Sequence, residues 1–209
     1  MKKIISILIA SLFLSCSAYA GGVIGVKVGQ GELDGKRTVD PSHGITTKAS
    51  GSVSSEYAAI FAEFGLSDMF SLGVEYVRLD AVIDTKAATA TDTHATISDY
   101  TTVYALIPFG GDGVYGKIGY AHADLGVSAN YDTVTVGSHS GSLEGVVLGL
   151  GVNIASNLPF ADVLRIEGNF VEFDEVSITT TNTNGTADTH TKKGEAELMT
   201  ISLSIAKSF

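Results

Sequence analysis

Six ionisable residues lie inside segments where apolar and polar residues alternate, and their charges balance. They are Lys27, Lys117, Arg165, Glu63, Glu75 and Glu167. Successive side chains of a strand point to opposite faces, so Lys27 lies on the face opposite its apolar neighbours Val26 and Val28. Buried opposite charges must pair, because removing one partner of a buried ion pair costs about 3–5 kcal/mol. The pattern predicts a structural network of ion pairs in the interior of a β-structure.

Polar side chains that could complete this network lie on the same faces. They are Tyr57, Tyr100, Tyr104, Tyr115 and Asn153. Three further charges, those of Arg78, Glu172 and Lys207, share the faces of apolar neighbours, and all three lie near the ends of their segments. We expect these three to lie at a boundary between apolar and polar surroundings.

Four histidines lie one by one in polar segments and are the candidate metal ligands. They are His43, His94, His139 and His190. Imidazole and carboxylate groups together suit zinc, copper or nickel. No two of these histidines have ligand spacing within one segment, so we predict no metal site and no cofactor.

The fifth histidine raises the question of catalysis. His122 has Asp124 and Ser128 close in sequence, which are the ingredients of a hydrolase. The surrounding residues match no nucleophile-elbow motif, and no phosphate-binding glycine loop or cysteine metal motif occurs elsewhere. We predict that the protein is not an enzyme and has no catalytic residues. The alternative is an enzyme that uses His122.

The elements that carry these residues are eight segments with alternating polarity. They span residues 22–30, 54–66, 70–81, 98–109, 114–126, 142–155, 162–174 and 196–209. Each segment reaches or approaches the ~9–11 residues that a tilted strand needs to cross a bilayer. Short connections alternate with long polar ones along the chain. The short connections are 67–69, 110–113 and 156–161, and the long ones are 31–53, 82–97, 127–141 and 175–195. This rhythm predicts an all-β fold, an eight-stranded antiparallel transmembrane β-barrel with short periplasmic turns and four long extracellular loops.

The two ends of the chain carry signals of export. Lys2 and Lys3 precede an apolar run over 4–14 and the small-residue site 18–20, which predicts a signal peptide over 1–20 and a barrel domain over 21–209. Acylation of the single cysteine, Cys16, is the alternative reading of this segment. The last segment alternates from Met199 to a terminal aromatic residue, Phe209.

The signal segment, the eight alternating segments, the loop rhythm and terminal Phe209 resemble the small bacterial outer-membrane barrel family that includes the OmpA transmembrane domain, OmpX and the opacity proteins. The resemblance implies a place in the outer membrane, contact with its lipid and lipopolysaccharide, and recognition of Phe209 as an assembly signal by the barrel assembly machinery. It implies a scaffold whose exposed loops serve adhesion or recognition of a host or cell-surface ligand.

The interior of an eight-stranded barrel is just wide enough for side chains to fill it, so we expect the charge network to plug the lumen. A weak porin or small-solute channel is the alternative, as is a gated narrow pore or proton path through the same residues. The resemblance also implies a further alternative, an outer-rim enzyme that acts on lipid A and uses His122. A soluble secreted β-sandwich is a further alternative. The net charge of −10 argues against nucleic acid as a partner.

Overall fold

The structure of the protein is a computed structural model. It describes the backbone of residues 21–39, 48–67, 69–86, 91–110, 113–131, 134–181 and 189–209. Its side chains are described over 21–36, 50–67, 69–77, 97–110, 113–126, 141–176 and 193–209. The predicted signal peptide and Cys16 lie outside these residues, as does the side chain of Arg78. Among the described residues, no helix is long and apolar enough to cross a membrane.

Eight antiparallel strands form one closed barrel in chain order, with β8 pairing to β1. The strands are β1 (Gly22–Val39), β2 (Lys48–Ser67), β3 (Phe70–Lys86), β4 (Thr91–Pro108), β5 (Val114–Tyr131), β6 (Val134–Leu158), β7 (Ala161–Thr181) and β8 (Thr189–Ser208). The predicted eight-stranded antiparallel barrel is confirmed, and the short turns lie where the sequence placed them.

The strands differ from the prediction at the other end, where they run far into the predicted long loops. β1 continues from residue 30 to Val39, and β6 begins at Val134 instead of 142. In the β1 extension the outward positions become Glu32, Asp34 and Lys36, so the outward apolar residues that indicate a lipid-facing strand are missing. Backbone pairing alone continues the ladder there, as Thr38 opposite Lys48 shows.

Within the described residues, the barrel wall divides into two sheets at this end. β2 and β3 pair only up to Ala59 and Val77, and β6 and β7 only up to Gly145 and Phe173. The other neighbours stay paired, for example up to Tyr131 opposite Val134. One four-stranded sheet therefore contains β7, β8, β1 and β2, and the other contains β3 to β6.

A bulge in β4 lies near the height at which the pairing of β2 with β3 ends. The register of β4 shifts between Ser98 and Thr101, and Asp99 has a positive φ of 53°. This left-handed conformation is uncommon for a residue other than glycine, though Asp tolerates it better than most. The Tyr76 hydroxyl donates a 2.6 Å hydrogen bond to Asp99 Oδ1 on the outer face.

The outer face carries a continuous apolar band around the barrel. Ile24, Val26 and Val28 of β1 are 50–60% exposed, and matching apolar residues of the other strands are exposed as well, from Leu72 at 36% to Leu150 at 65%. Exposed phenylalanines border the band at the turn end, and Tyr76 and Tyr120 border it at the other. The phenylalanines are Phe70, Phe109, Phe160 and Phe209. A band with aromatic borders suits the hydrocarbon of a bilayer with its two interfaces.

Two of the charges that break the face pattern lie at the edges of this band. Lys207 is exposed at the turn end, and its Nζ lies 2.7 Å from Asp162 Oδ1. Glu172 is exposed at the opposite edge, where Glu197 of β8 is its neighbour in the strand register. Charges at these heights cost little, whereas a charge at the bilayer midplane of a barrel costs about 2–4 kcal/mol.

Candidate functional site

The barrel interior contains a charged network in two layers, and the lower layer, nearer the turns, is one ion pair. Arg165 of β7 reaches Glu63 of β2 through two hydrogen bonds, Nη1 to Oε1 at 2.5 Å and Nη2 to Oε2 at 2.8 Å. Arg165 Nε donates to Asn153 Oδ1 at 2.8 Å, and the Tyr104 hydroxyl donates to Glu63 Oε1 at 2.8 Å. Both charged residues are only 3% exposed. This bidentate geometry is the strongest form of an arginine–carboxylate pair.

The upper layer is a ring of four alternating charges. Lys27 Nζ lies 2.6 Å from both Glu75 Oε2 and Glu167 Oε1. Lys117 Nζ lies 3.1 Å and 3.0 Å from the same two oxygen atoms. Each carboxylate is thus shared by two ammonium groups, and the four residues are 1–4% exposed. The six predicted lumen residues all point inward and come together in these two layers.

Polar and aromatic groups complete the coordination of the charges. Glu167 also accepts hydrogen bonds from the Tyr115 hydroxyl at 2.7 Å and from Asn169 Nδ2 at 3.0 Å. Lys117 Nζ lies 4.0 Å from the centre of the Tyr104 ring, a favourable cation–π distance. Of the predicted surrounding groups, Tyr104, Tyr115 and Asn153 contact the network directly. Tyr57 and Tyr100 lie above it, on the side away from the turns.

Glycines on neighbouring strands make room for the inward aromatic rings. Gly73 pairs directly with Tyr104, and Gly151 pairs directly with Tyr115. The rings occupy the space where a Cβ of either glycine would stand. Gly25 relates in the same way to Phe61. The sequence indicates a packing role for such glycines, but it does not show which ring covers which glycine, because that depends on the register.

No protein-family model matches this chain, and no curated protein matches it. Solved structures do. OprG, an outer membrane protein from Pseudomonas aeruginosa, matches with a TM-score of 0.53 and 9% identity over 90% of this chain and 97% of its own. The outer membrane protease OmpT from Escherichia coli matches with a TM-score of 0.50 and 8% identity over the same shares. This chain has the outer-membrane β-barrel fold.

A third such barrel, the attachment invasion locus protein Ail of Yersinia pestis, matches with a TM-score of 0.46 and 11% identity, over 89% of this chain and 99% of its own. The structural matches to OprG and OmpT establish the fold alone, because the sequence identities are so low. What the site does has to be argued from the residues of this chain.

Three of the four candidate metal histidines lie on strands at the end away from the turns. His94, His139 and His190 belong to β4, β6 and β8 and not to loops, which corrects the predicted setting. His43 and the side chains of the other three lie outside the described residues. Among the side chains that are described, no group of three or more potential metal ligands occurs.

His122 lies on the outer face between two carboxylates. Its Nε2 is 3.6 Å from Asp124 Oδ1, and its Nδ1 is 3.5 Å from Glu144 Oε1. The Tyr120 hydroxyl donates to Glu144 Oε2 at 2.9 Å. The side chain of Ser128 lies outside the described residues. His122 therefore belongs to a polar cluster at the border of the apolar band.

Phe209 closes the barrel at its turn end. Its backbone N–H donates to the Gly22 carbonyl at 2.9 Å, and its carbonyl accepts from the Gly22 N–H at 3.0 Å. These two bonds join the last strand to the first. The ring lies over the Cα of Gly22 on the outer face, and the residue remains 74% exposed. The terminal residue thus contributes both to the sheet and to the aromatic border.

Proposed function

We propose that this protein is an integral outer-membrane barrel whose lumen is closed by the charged network and whose parts outside the membrane carry out recognition. The observation that carries the first half is the burial of six balanced charges in one cross-section of the lumen. A water-filled channel at this height would expose them, yet the most accessible of the six is 4% exposed. Buried Tyr104, Leu106 and Tyr115 pack together against the network and add to the obstruction.

Planar-bilayer conductance tests the closure against the porin alternative. We expect the refolded protein to give no steady current, because opening the lumen would separate buried charges from their partners. A neutral double variant, Glu63→Ala with Arg165→Ala, removes the lower layer and should admit brief openings. The Glu56→Ala variant changes an exposed carboxylate of the same strand and serves as its control. Steady nanosiemens-scale currents from the unaltered protein would overturn the proposal.

The recognition half of the proposal rests on the two sheets that continue beyond the apolar band. Their outer faces carry exposed acidic groups, among them Glu32, Asp34, Glu56 and Asp174. A long, polar, rigidly paired surface outside the membrane is suited to contact with a host or cell-surface ligand, or with lipopolysaccharide. We therefore place adhesion in these extensions and in the connections between them.

Exchange of the connecting residues tests this half. Cells that display the protein with residues 40–47 and 182–188 replaced by Gly-Ser segments of equal length should lose adhesion to host matrix or to other cells. Replacement of residues 111–112, in the short connection between β4 and β5 on the periplasmic side, is the matched control and should leave adhesion unchanged. Equal adhesion of all three forms would refute a recognition role for these connections.

We further propose that residues 1–20 are removed on export and that Phe209 directs the chain to the barrel assembly machinery. The closing contact of Phe209 with Gly22 supports a role for the last residue in completing the barrel. Mass determination of the protein isolated from membranes tests the cleavage, with Gly21 expected as the first residue.

A further inference from the structure

Residues 50–58 of β2, beyond the apolar band, are paired on one side only. All of them pair with β1. On the other side, the pairing of β2 with β3 ends at Ala59 opposite Val77. Beyond Val77, the described backbone of β3 pairs with β4 alone. Within the part of the chain that the structure describes, residues 50–58 therefore form a sheet edge.

The ladder with β1 shows which backbone groups this edge offers. Gly65 N–H donates to the Gly21 carbonyl at 3.1 Å, and in an antiparallel pair every second residue bonds the same neighbour. The odd-numbered residues of β2 therefore bond β1, and the even-numbered ones direct their N–H and C=O groups to the unpaired side. These even-numbered residues are Ser50, Ser52, Ser54, Glu56 and Ala58.

The edge lacks the devices that commonly prevent the addition of a strand. Sheet edges are often blocked by lysine, by proline or by a bulge. Residues 50–58 contain neither lysine nor proline, and their register with β1 has no shift. The Glu56 carbonyl accepts a 3.2 Å bond from the Ser55 hydroxyl, a local donor in place of a strand partner. An extended peptide can pair with such an edge through its backbone.

The outward face beside this edge is acidic. Glu56 is exposed on β2, and Glu32 and Asp34 are exposed on the adjacent part of β1. Lys36 of the same face is already paired with Glu197, Nζ to Oε1 at 3.6 Å. Because neighbouring strands lie about 4.8 Å apart, long basic side chains on an added strand would reach these carboxylates.

The inward face of the edge carries apolar surface. Val53 and Tyr57 point inward and are only partly buried. Inward residues of an added strand would lie beside these two side chains, as cross-strand neighbours do. Apolar residues suit these positions, so the two faces together define an alternating partner sequence.

We propose that residues 50–58 bind an extended segment of a partner protein as an additional antiparallel strand. The segment has basic residues at its outward positions and apolar residues at its inward positions. Antiparallel pairing continues the pattern that β2 has with both β1 and β3. The proposal rests on the recognition role proposed above, and it names the partner of one of the two sheet extensions.

A peptide of alternating lysine and valine, as long as residues 50–58 and labelled with fluorescein, is the probe. Its binding to the protein in nanodiscs of zwitterionic lipid is measured by fluorescence anisotropy, with empty nanodiscs as the blank. We expect saturable binding to the protein and none to the empty nanodiscs.

Methylation of the peptide backbone distinguishes strand pairing from attraction between charges. Residues that exchange both hydrogen bonds stand directly opposite one another and share a face, so the outward lysines bond the even-numbered residues of β2. Two N-methyl groups on lysine nitrogens should therefore abolish saturable binding. Two N-methyl groups on valine nitrogens, which point away from β2, should leave the Kd within about twofold of that of the parent peptide.

Variants of the protein test the same edge. Ser54→Pro removes an N–H from the unpaired side and keeps the bonds to β1, so we expect the Kd to rise about fivefold. Glu56→Gln should raise it about threefold, as expected for the loss of an exposed ion pair. Glu144→Gln changes an exposed carboxylate of β6, in the other sheet, and should leave the Kd unchanged. If Ser54→Pro fails to show heat-modifiable mobility, Ser52→Pro takes its place.

Equal binding of the two methylated peptides would mean that charge alone holds the peptide, and it would overturn the proposal. Self-association of the protein in detergent that Ser54→Pro abolishes would make a second copy the occupant and would also overturn it. Absence of saturable binding overturns the proposal but leaves the recognition role in place, because adhesion of the form with residues 40–47 and 182–188 replaced tests that role separately. That form should still bind the peptide, and loss of its binding would overturn the assignment to the β2 edge.

Discussion

Arg165 and Glu63 meet across the lumen from β7 and β2, with the guanidinium and the carboxylate joined by two hydrogen bonds of 2.5 Å and 2.8 Å. The two residues are 102 positions apart in sequence. The pair can form only after both halves of the chain have closed into one barrel. It therefore links the balance of charge inside the lumen to completion of the fold.

The first prediction concerns the free energy of unfolding when this pair is broken. Glu63→Gln keeps the side-chain volume but leaves the guanidinium buried without its counter-ion, so we expect a loss of about 3–5 kcal/mol. The measurement is equilibrium unfolding in urea, with the protein in lipid vesicles. Glu56→Gln, an exposed carboxylate on the same strand, should stay within about 0.5 kcal/mol of the parent.

The double variant Glu63→Gln with Arg165→Met completes this test. It removes both charges, so the loss should be smaller than that of Glu63→Gln alone. A double variant as unstable as the sum of its single changes would contradict the assigned pairing.

The second prediction concerns the glycine under the Tyr104 ring. Gly73→Ala adds a Cβ where ring atoms already stand, and the ring cannot withdraw because its hydroxyl bonds Glu63. We expect a loss of about 1–3 kcal/mol, as for other overpacked interiors. Gly168→Ala on the outer face is the matched control. The nearest atom to a Cβ there is a backbone oxygen at 3.7 Å, so stability should be unchanged or slightly raised.

Much of the fold follows from the sequence because the apolar band imposes a period of two. Wherever one face must contact lipid, alternation gives both the strand and the direction of its charges. That is why the inward direction of Lys27, Lys117 and Arg165 could be inferred without a structure. The same reasoning fails beyond Gln30, where the outer face becomes polar and the strand continues without a lipid-facing apolar signal.

The division of the wall requires the register, which the sequence does not provide. Residues 50–56 are polar or glycine apart from Val53. Nothing in this local sequence shows that this part of β2 pairs with β1 but not with β3. The cavity in the lumen above the charged network depends on the same fact, because Val53 and Val77 line it only through their place in the barrel. Long-range pairing, and not local propensity, determines these features.

The third prediction is that the protein leaves lipid A unchanged. The ring nitrogens of His122 lie beside the carboxylates of Asp124 and Glu144, an arrangement typical of a polar cluster at the band border and not of a histidine that activates a hydroxyl nucleophile. Cells that overproduce the protein should therefore give the same lipid A mass spectrum as cells that do not. A mass shift that disappears in the His122→Ala variant would instead favour the outer-rim enzyme.

The fourth prediction separates assembly from stability at the last residue. Phe209→Ser removes an exposed ring but keeps the backbone bonds to Gly22, so the refolded variant should unfold within about 1 kcal/mol of the parent. In cells, however, we expect a clear loss of the heat-modifiable, membrane-inserted form, because the terminal ring is the proposed assembly signal. Gel mobility of unboiled membrane fractions measures that loss.

Phe160→Ser is the control, because Phe160 is 64% exposed and borders the same edge of the apolar band without ending the chain. If both variants insert equally poorly, the aromatic border explains the effect, and Phe209 has no role of its own. If Phe160→Ser inserts normally and Phe209→Ser does not, the loss belongs to the chain terminus. Normal insertion of Phe209→Ser would contradict the assembly role directly.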